Sequence, residues 1–209
     1  QVDLDRLIAI AGAVPPFEAP AESVPVASAP RVRIGIAQDQ AFGFYYSEDL
    51  DSLRAAGAEL VALDMLRDAA LPALDGLVIG GGFPEMFMDA LEANGGMRAS
   101  GRAPIESGPP AYAGYGGLVD LSRSPSWQGG TPPTVGAGPG DTVMHARPVG
   151  RGYARLEPSG DDRWRESGVI PAHEFHYSSL ENLPDDACYA YRVARGHGID
   201  GAHDGYQVH

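Results

Sequence analysis

Three short apolar runs, separated by stretches of helical periodicity, restrict this chain to few architectures. Val32–Ala37, Glu59–Leu63 and Gly76–Gly80 are nearly continuous in Val, Ile, Leu, Ala and Gly and lack the regular polar alternation of a half-exposed strand. Strands of this kind are covered on both faces, which calls for parallel pairing and crossover helices. Glu48–Ala56 supplies one such helix. Pro84–Ala93 and Gly96–Ser107 read as helices leading to a fourth strand at Pro110–Ala113, with Gly101 and Pro104 expected to interrupt the second of them. Beyond it the chain is richer in Gly and Pro, and Arg151–Leu156, Gly168–Ile170 and Cys188–Val193 read as short strands. The expected fold is α/β: a doubly wound, mostly parallel sheet with flanking helices and antiparallel additions in the C-terminal half.

Ahead of that unit, Val2, Leu4, Leu7, Ile8 and Ala11 recur at helical spacing and point to a short amphipathic helix ending at Gly12. Residues 13–30 then hold five prolines among Ala, Glu, Ser and Val, the composition of an extended linker. The division expected is 1–13, a linker over 14–30, and a domain over 31–209. Because the chain opens on Gln1 without Met, it is read as beginning inside a longer protein.

Charge narrows the partners. Asp and Glu number 28 against 15 basic residues, all of them Arg, for a net charge of −13. That balance argues against nucleic acid, and no lysine is present for a Schiff base or a phosphate clamp. No apolar run approaches the ~20 residues of a membrane span. The single cysteine, Cys188, cannot form an internal disulfide, which favours a reducing, cytoplasmic setting.

Two glycine motifs follow predicted strands, where α/β sheets place their ligands. Gly80-Gly81-Gly82-Phe83-Pro84-Glu85 lacks both the dinucleotide spacing and the Lys-Ser/Thr of a phosphate loop, so it reads either as a tight turn or as a close backbone approach to a bound group. Pro110–Leu118 has the form of a strand entering a nucleophile turn, with Tyr115 at the bend and Gly116-Gly117 behind it. A third motif, His173-Glu174-Phe175-His176-Tyr177-Ser178, is one residue short of the His-Glu-x-x-His spacing of zinc peptidases. In an extended segment its two histidines point to opposite sides, so a shared metal is not expected. Arg147 and Arg151, near His145, could clamp a carboxylate or be a surface pair, and Gly196–Gly205 could be a ligand loop or a solvated turn.

Taken with Pro139–His145 and Gly150–Tyr153, these segments resemble, in order and spacing, the glutamine amidotransferase domain of cobyrinate (hydrogenobyrinate) a,c-diamide synthases over residues 31–209. The resemblance implies a class I amidotransferase-like, flavodoxin-like fold that releases ammonia from glutamine. It implies a preceding ATP- and Mg²⁺-dependent synthetase half, of which residues 1–13 would be the end, acting on a corrin or sirohydrochlorin-type tetrapyrrole in cobalamin biosynthesis. No cofactor or metal is implied for the amidotransferase domain itself, and a homo-oligomer stays open.

By the same resemblance His176 is the base, Gly82 and Gly116 supply the oxyanion N–H groups, and Tyr115 occupies the position of the nucleophilic Cys. The acidic third member found in other class I enzymes would fall near Ser178, leaving a Cys-His pair. The family reads Ala-Glu-Cys-Gly-Gly where this chain has Ala113-Gly114-Tyr115-Gly116-Gly117, and the chain is expected to stop short of the family's last strand. A phenol, with an ordinary pKa near ~10, is hardly ionised at neutral pH. Two functions therefore stand: an amidotransferase domain whose glutaminase activity Tyr115 puts in question, or an inactive amidotransferase-like docking module.

Overall fold

The computed structural model describes residues 2–15, 30–108, 110–114, 116–126, 135, 136, 138, 140–160 and 168–207. Tyr115, His209 and nearly all of the proline-rich stretch expected as a linker lie outside the described residues. Helix α1 (Leu4–Gly12) starts at Asp3, whose carboxylate accepts the Arg6 N–H at 3.0 Å, a side-chain N-cap. Its apolar residues Leu4, Leu7, Ile8 and Ile10 are all exposed.

The first α/β unit runs β1 (Val32–Ala37), β2 (Phe42–Phe44), α2 (Ser47–Ala55), β3 (Ala58–Leu63), β4 (Gly76–Ile79) and β5 (Gly81–Gly82). A 3-10 turn (Pro84–Met86), α3 (Met88–Ala93), α4 (Gly95–Ser107), β6 (Ala111–Ala113) and α5 (Gly116–Leu121) complete it. Strands β3-β1-β4-β6 form a parallel sheet in that order. Counted among the parallel strands alone this is the order 2-1-3-4, that of a flavodoxin-like sheet, in which the direction of strand addition reverses between β1 and β4. Ala37, Leu63, Leu77 and Ile79 from the strands pack with Phe42, Met88, Leu91 and Met97 to form the core. The same apolar continuity that marked the strands in the sequence is what lets helices cover both faces.

Two expectations about the helices are corrected. Pro84–Ala93 is not one helix: Phe87, at φ −125° and ψ 17°, leaves helical geometry and separates the 3-10 turn from α3. Conversely, α4 runs unbroken from Gly95 to Ser107 through Gly101 and Pro104. Gly101 faces Leu71 and Val135, with space for a Cβ at ordinary contact distances of 3.7–4.0 Å, so packing against the core compensates its low helix propensity.

The C-terminal half contributes β7 (Ser124–Ser126), β8 (Asp141–Met144), β9 (Gly150–Pro158), β10 (Ile170–His176), β11 (Ser178–Glu181), β12 (Cys188–Arg195) and β13 (His203–Gln207). These strands form sheets of their own: antiparallel β10-β9-β12-β13, and β11-β8-β7, in which β11 is antiparallel and β7 parallel to β8. Strand β10 begins at Ile170, where the run expected at Gly168–Ile170 ends, and takes in the His173–His176 motif, while β12 starts at Cys188 as expected and runs on to Arg195. Among the described residues no helix is long and apolar enough to cross a membrane.

Candidate active site

Strand order reverses between β1 and β4, the place where α/β sheets bind their ligands, and two loops meet at the carboxyl ends of these strands. Asp39 organises the first: its carboxylate accepts the N–H groups of Ala41 (2.7 Å), Phe42 (3.0 Å) and Met65 (2.6 Å). The loop so held pairs β2 with β5, placing Phe42 opposite Gly82. Tyr45 fastens the second side, its hydroxyl donating to the Ala37 carbonyl (2.6 Å) and accepting the Gly80 N–H (2.8 Å). Burial is the main influence on that hydroxyl and pushes its pKa up.

Gly82 has no room for a side chain, because a Cβ there would overlap the Ala41 carbonyl oxygen. Gly116 is equally restricted: its Cβ would lie 2.7 Å from Pro84 Cδ and 3.3 Å from the Gly82 nitrogen. The two glycines expected to offer oxyanion N–H groups are thus packed backbone to backbone. The bend between β6 and α5 is closed by Gly114 N–H donating to Ile79 O (2.9 Å) and Gly117 N–H donating to Gly114 O (2.9 Å) and Gly80 O (3.2 Å). Phe44 and Phe83, in edge-to-face contact at 5.2 Å, stand exposed beside this cluster with Tyr46 and Met86. Burial holds the Glu85 carboxyl above the usual carboxylate range.

Behind the bend lies a buried charge. Asp120 on α5 is 3% exposed, and neither its Oδ2 nor the Nε of neighbouring Arg98 has a hydrogen-bond partner among the described residues. Burial drives the Asp120 carboxyl up to about 7, with Arg98 opposing the shift and Asp39 adding to it.

The expected base sits on the antiparallel sheet. Along β10 exposure alternates, so His173 and His176 fall on opposite faces, as the extended geometry requires. His173 meets Tyr153 edge-on, whereas His176 Nδ1 lies 2.7 Å from the Ser178 carbonyl oxygen and Nε2 lies 3.7 Å from Glu174 Oε2. The His197 ring is 6.1 Å away. From β13, Asp204 also faces His176; burial raises its carboxyl, the Gly205 N–H and His176 lower it, and Glu174 and Asp200 raise it further.

The structure therefore brings Gly82 and Gly116 together, and His176 together with Glu174. Among the described residues no hydrogen bond, ion pair or ring contact joins these two groups. Tyr115 is not described. His145 pairs with Ser179 Oγ at 2.8 Å, His203 with Asp200 at 2.9 Å, and Arg147 and Arg151 are exposed. Cys188 is a free thiol at the first position of β12, away from any glycine turn.

Sequence reasoning missed Asp39, Tyr45 and the role of Glu174. An Asp two residues past a strand end is a known turn-former and could have been weighed. Nothing local marks Tyr45, whose partners are 8 and 35 residues away.

Residues 33–209 match the CobB/CobQ-like glutamine amidotransferase domain. The chain belongs to that family. Similar proteins include the cobyrinate a,c-diamide synthases of Magnetococcus marinus, 42% identical over 100% of this chain and 46% of the relative, and of Methanosarcina acetivorans, 39% identical over 99% and 45%. The chain thus spans less than half the length of these relatives. Among solved structures, a glutamine amidotransferase superposes with a TM-score of 0.56 at 14% identity, covering 83% of this chain and 89% of the other. A putative GMP synthase protein from Thermoplasma acidophilum gives 0.50 at 21% identity, covering 78% and 73%. At these identities the two structures speak for the fold of this amidotransferase domain alone.

Proposed function

We propose that this chain is the glutamine-handling portion of a cobyrinate a,c-diamide synthase in cobalamin biosynthesis, with Tyr115 standing where the family's nucleophilic Cys would be. The observation that carries the reading is the packing of Gly82 against Gly116 at the carboxyl end of the parallel sheet. Side-chain-free backbone on both sides of a bend is what an oxyanion pocket made from two main-chain N–H groups requires.

With a thiol at position 115, the sulfur would attack the side-chain amide carbon of glutamine, and the oxyanion would be received by the Gly82 and Gly116 N–H groups. His176 would take the thiol proton and return it to the departing ammonia. Water would then hydrolyse the thioester to glutamate. The ammonia would serve an amide-forming portion outside this chain, which uses ATP and Mg²⁺ to activate carboxylates of a corrin-type tetrapyrrole. This chain carries no lysine and no phosphate loop of its own, in keeping with that division of labour. The working site would be the cytoplasm.

Tyr115 removes the attacking sulfur and leaves the rest of the frame. The chain would then act as a structural module of the synthase, with ammonia drawn from solution. The test is to exchange this chain for the matching portion of the Magnetococcus marinus relative and to measure amide formation with glutamine or ammonium as nitrogen source. Ammonium alone is expected to support the reaction, and glutamine to work once Tyr115→Cys is introduced. Equal use of glutamine by both forms would refute the reading of Tyr115, and failure with either nitrogen source in both forms would refute the assignment to this synthase.

A further inference from the structure

We propose that Glu174 is the acidic partner of His176, a positioning residue whose carboxylate, anchored by the Gly196–Gly198 turn, is held beside the proton-accepting ring. The inference rests on the reading of His176 as the base.

Glu174 and His176 share one face of β10, and Gly150 on β9 opens space for both: a Cβ there would overlap the His176 ring and lie 2.9 Å from the Glu174 carboxyl carbon. The carboxylate is held from the other side by backbone. His197 N–H lies 2.9 and 3.0 Å from its two oxygens, and Gly198 N–H lies 3.0 Å from Oε2. Successive N–H groups can converge on one carboxylate here because Gly196 (φ 114°) and Gly198 (φ 64°) adopt left-handed backbone. The ring is oriented through its other nitrogen. A hydrogen on Nδ1 is donated to the Ser178 carbonyl, which leaves Nε2 as the nitrogen able to accept a proton, and it is Nε2 that faces Glu174 Oε2 at 3.7 Å. Once Nε2 carries the proton, the imidazolium charge lies 3.7 Å from the Glu174 carboxylate, beyond hydrogen-bond reach, so Nε2–H stays available to the reacting groups. The carboxylate partner therefore comes from two residues before the histidine, and the Ser178 position contributes only its carbonyl.

Two measurements test this. In the chain as it stands, the His176 ring signals, identified by their loss in His176→Ala, are followed by NMR against pH. Asp204 and His197 also face the ring, so the change is confined to Glu174. Glu174→Gln keeps an oxygen to accept the His197 and Gly198 N–H groups and removes the charge. The His176 curve is expected to move to lower pH by about half a unit or more, and by less in Glu174→Asp. An unmoved curve overturns the pairing.

In the Tyr115→Cys background, Glu174→Gln is expected to lower kcat for glutamine hydrolysis about tenfold or more with KM within about twofold. A raised KM at unchanged kcat would show that Glu174 only holds the turn, and would overturn the proposal. If Tyr115→Cys hydrolyses no glutamine, the reading of the bend fails, while the NMR curve still decides the pairing.

Discussion

The glycine crevice of the parallel sheet and the His176 face of the antiparallel sheet are built on opposite principles. In the crevice the groups proposed to work are main-chain N–H, and the constraint is steric: Gly82, Gly116 and Gly117 are pressed so close to Ala41, Pro84 and Ile79 that side chains are excluded. On the His176 face the groups proposed to work are side chains, and the constraint is electrostatic: Glu174 lies 3.7 Å from the imidazole, with Asp204 and His197 nearby. A change in the first region should cost stability through shape, and a change in the second should alter chemistry with the fold intact.

The largest effect should come from Gly82→Ala. Its methyl group would fall on the Ala41 carbonyl oxygen, a backbone atom held by the Asp39 bonds, so relief requires the whole loop to shift. A loss of about 4 kcal/mol or outright failure to fold is expected in urea titrations, and a loss below about 1 kcal/mol would show the crevice to be pliable. Next comes Asp39→Ala, which strands three N–H groups and should cost about 3 kcal/mol by the same measurement.

Asp120 offers a pH-dependent test of the ground beneath the bend. Its carboxyl titrates at about 7 in the folded state against an ordinary 3.8, so between those values the folded chain binds more protons than the unfolded one. This contribution makes stability fall as pH rises from about 4 through about 7 and level off above. Asp120→Asn should remove that slope and stabilise the chain by about 2 kcal/mol at alkaline pH, with little change in acid. A parent curve rising across the same window, once other groups are controlled by the variant, would contradict a carboxyl that burial keeps protonated. The smallest effect is Tyr45→Phe, which removes the bridge between Ala37 and Gly80 for about 1–2 kcal/mol.

The same contrast explains what could be read from the sequence. The parallel strands and the glycine crevice were legible because apolar continuity and clustered glycines are local signatures of two-sided burial and of close backbone approach. The break at Phe87 was not, since Phe is a residue that can continue a helix and nothing in its own type marks the change of backbone there. Glu174 stood in view between two histidines, yet spacing tested it only as part of a metal motif. Its real partners, His197 and Gly198, are 23 and 24 residues away and meet it only after β9, β10 and β12 have paired. Asp39 and Tyr45 were missed for the same reason, because their value lies in tertiary hydrogen bonds.

Intact-mass analysis of the chain incubated with glutamine, beside Tyr115→Cys, tests the proposed loss of the nucleophile most directly. The account predicts a covalent γ-glutamyl adduct on Tyr115→Cys, removed by hydroxylamine as a thioester should be, and none on the parent. An adduct on the parent chain, or glutamate release from it at the rate of the cysteine form, would contradict the account.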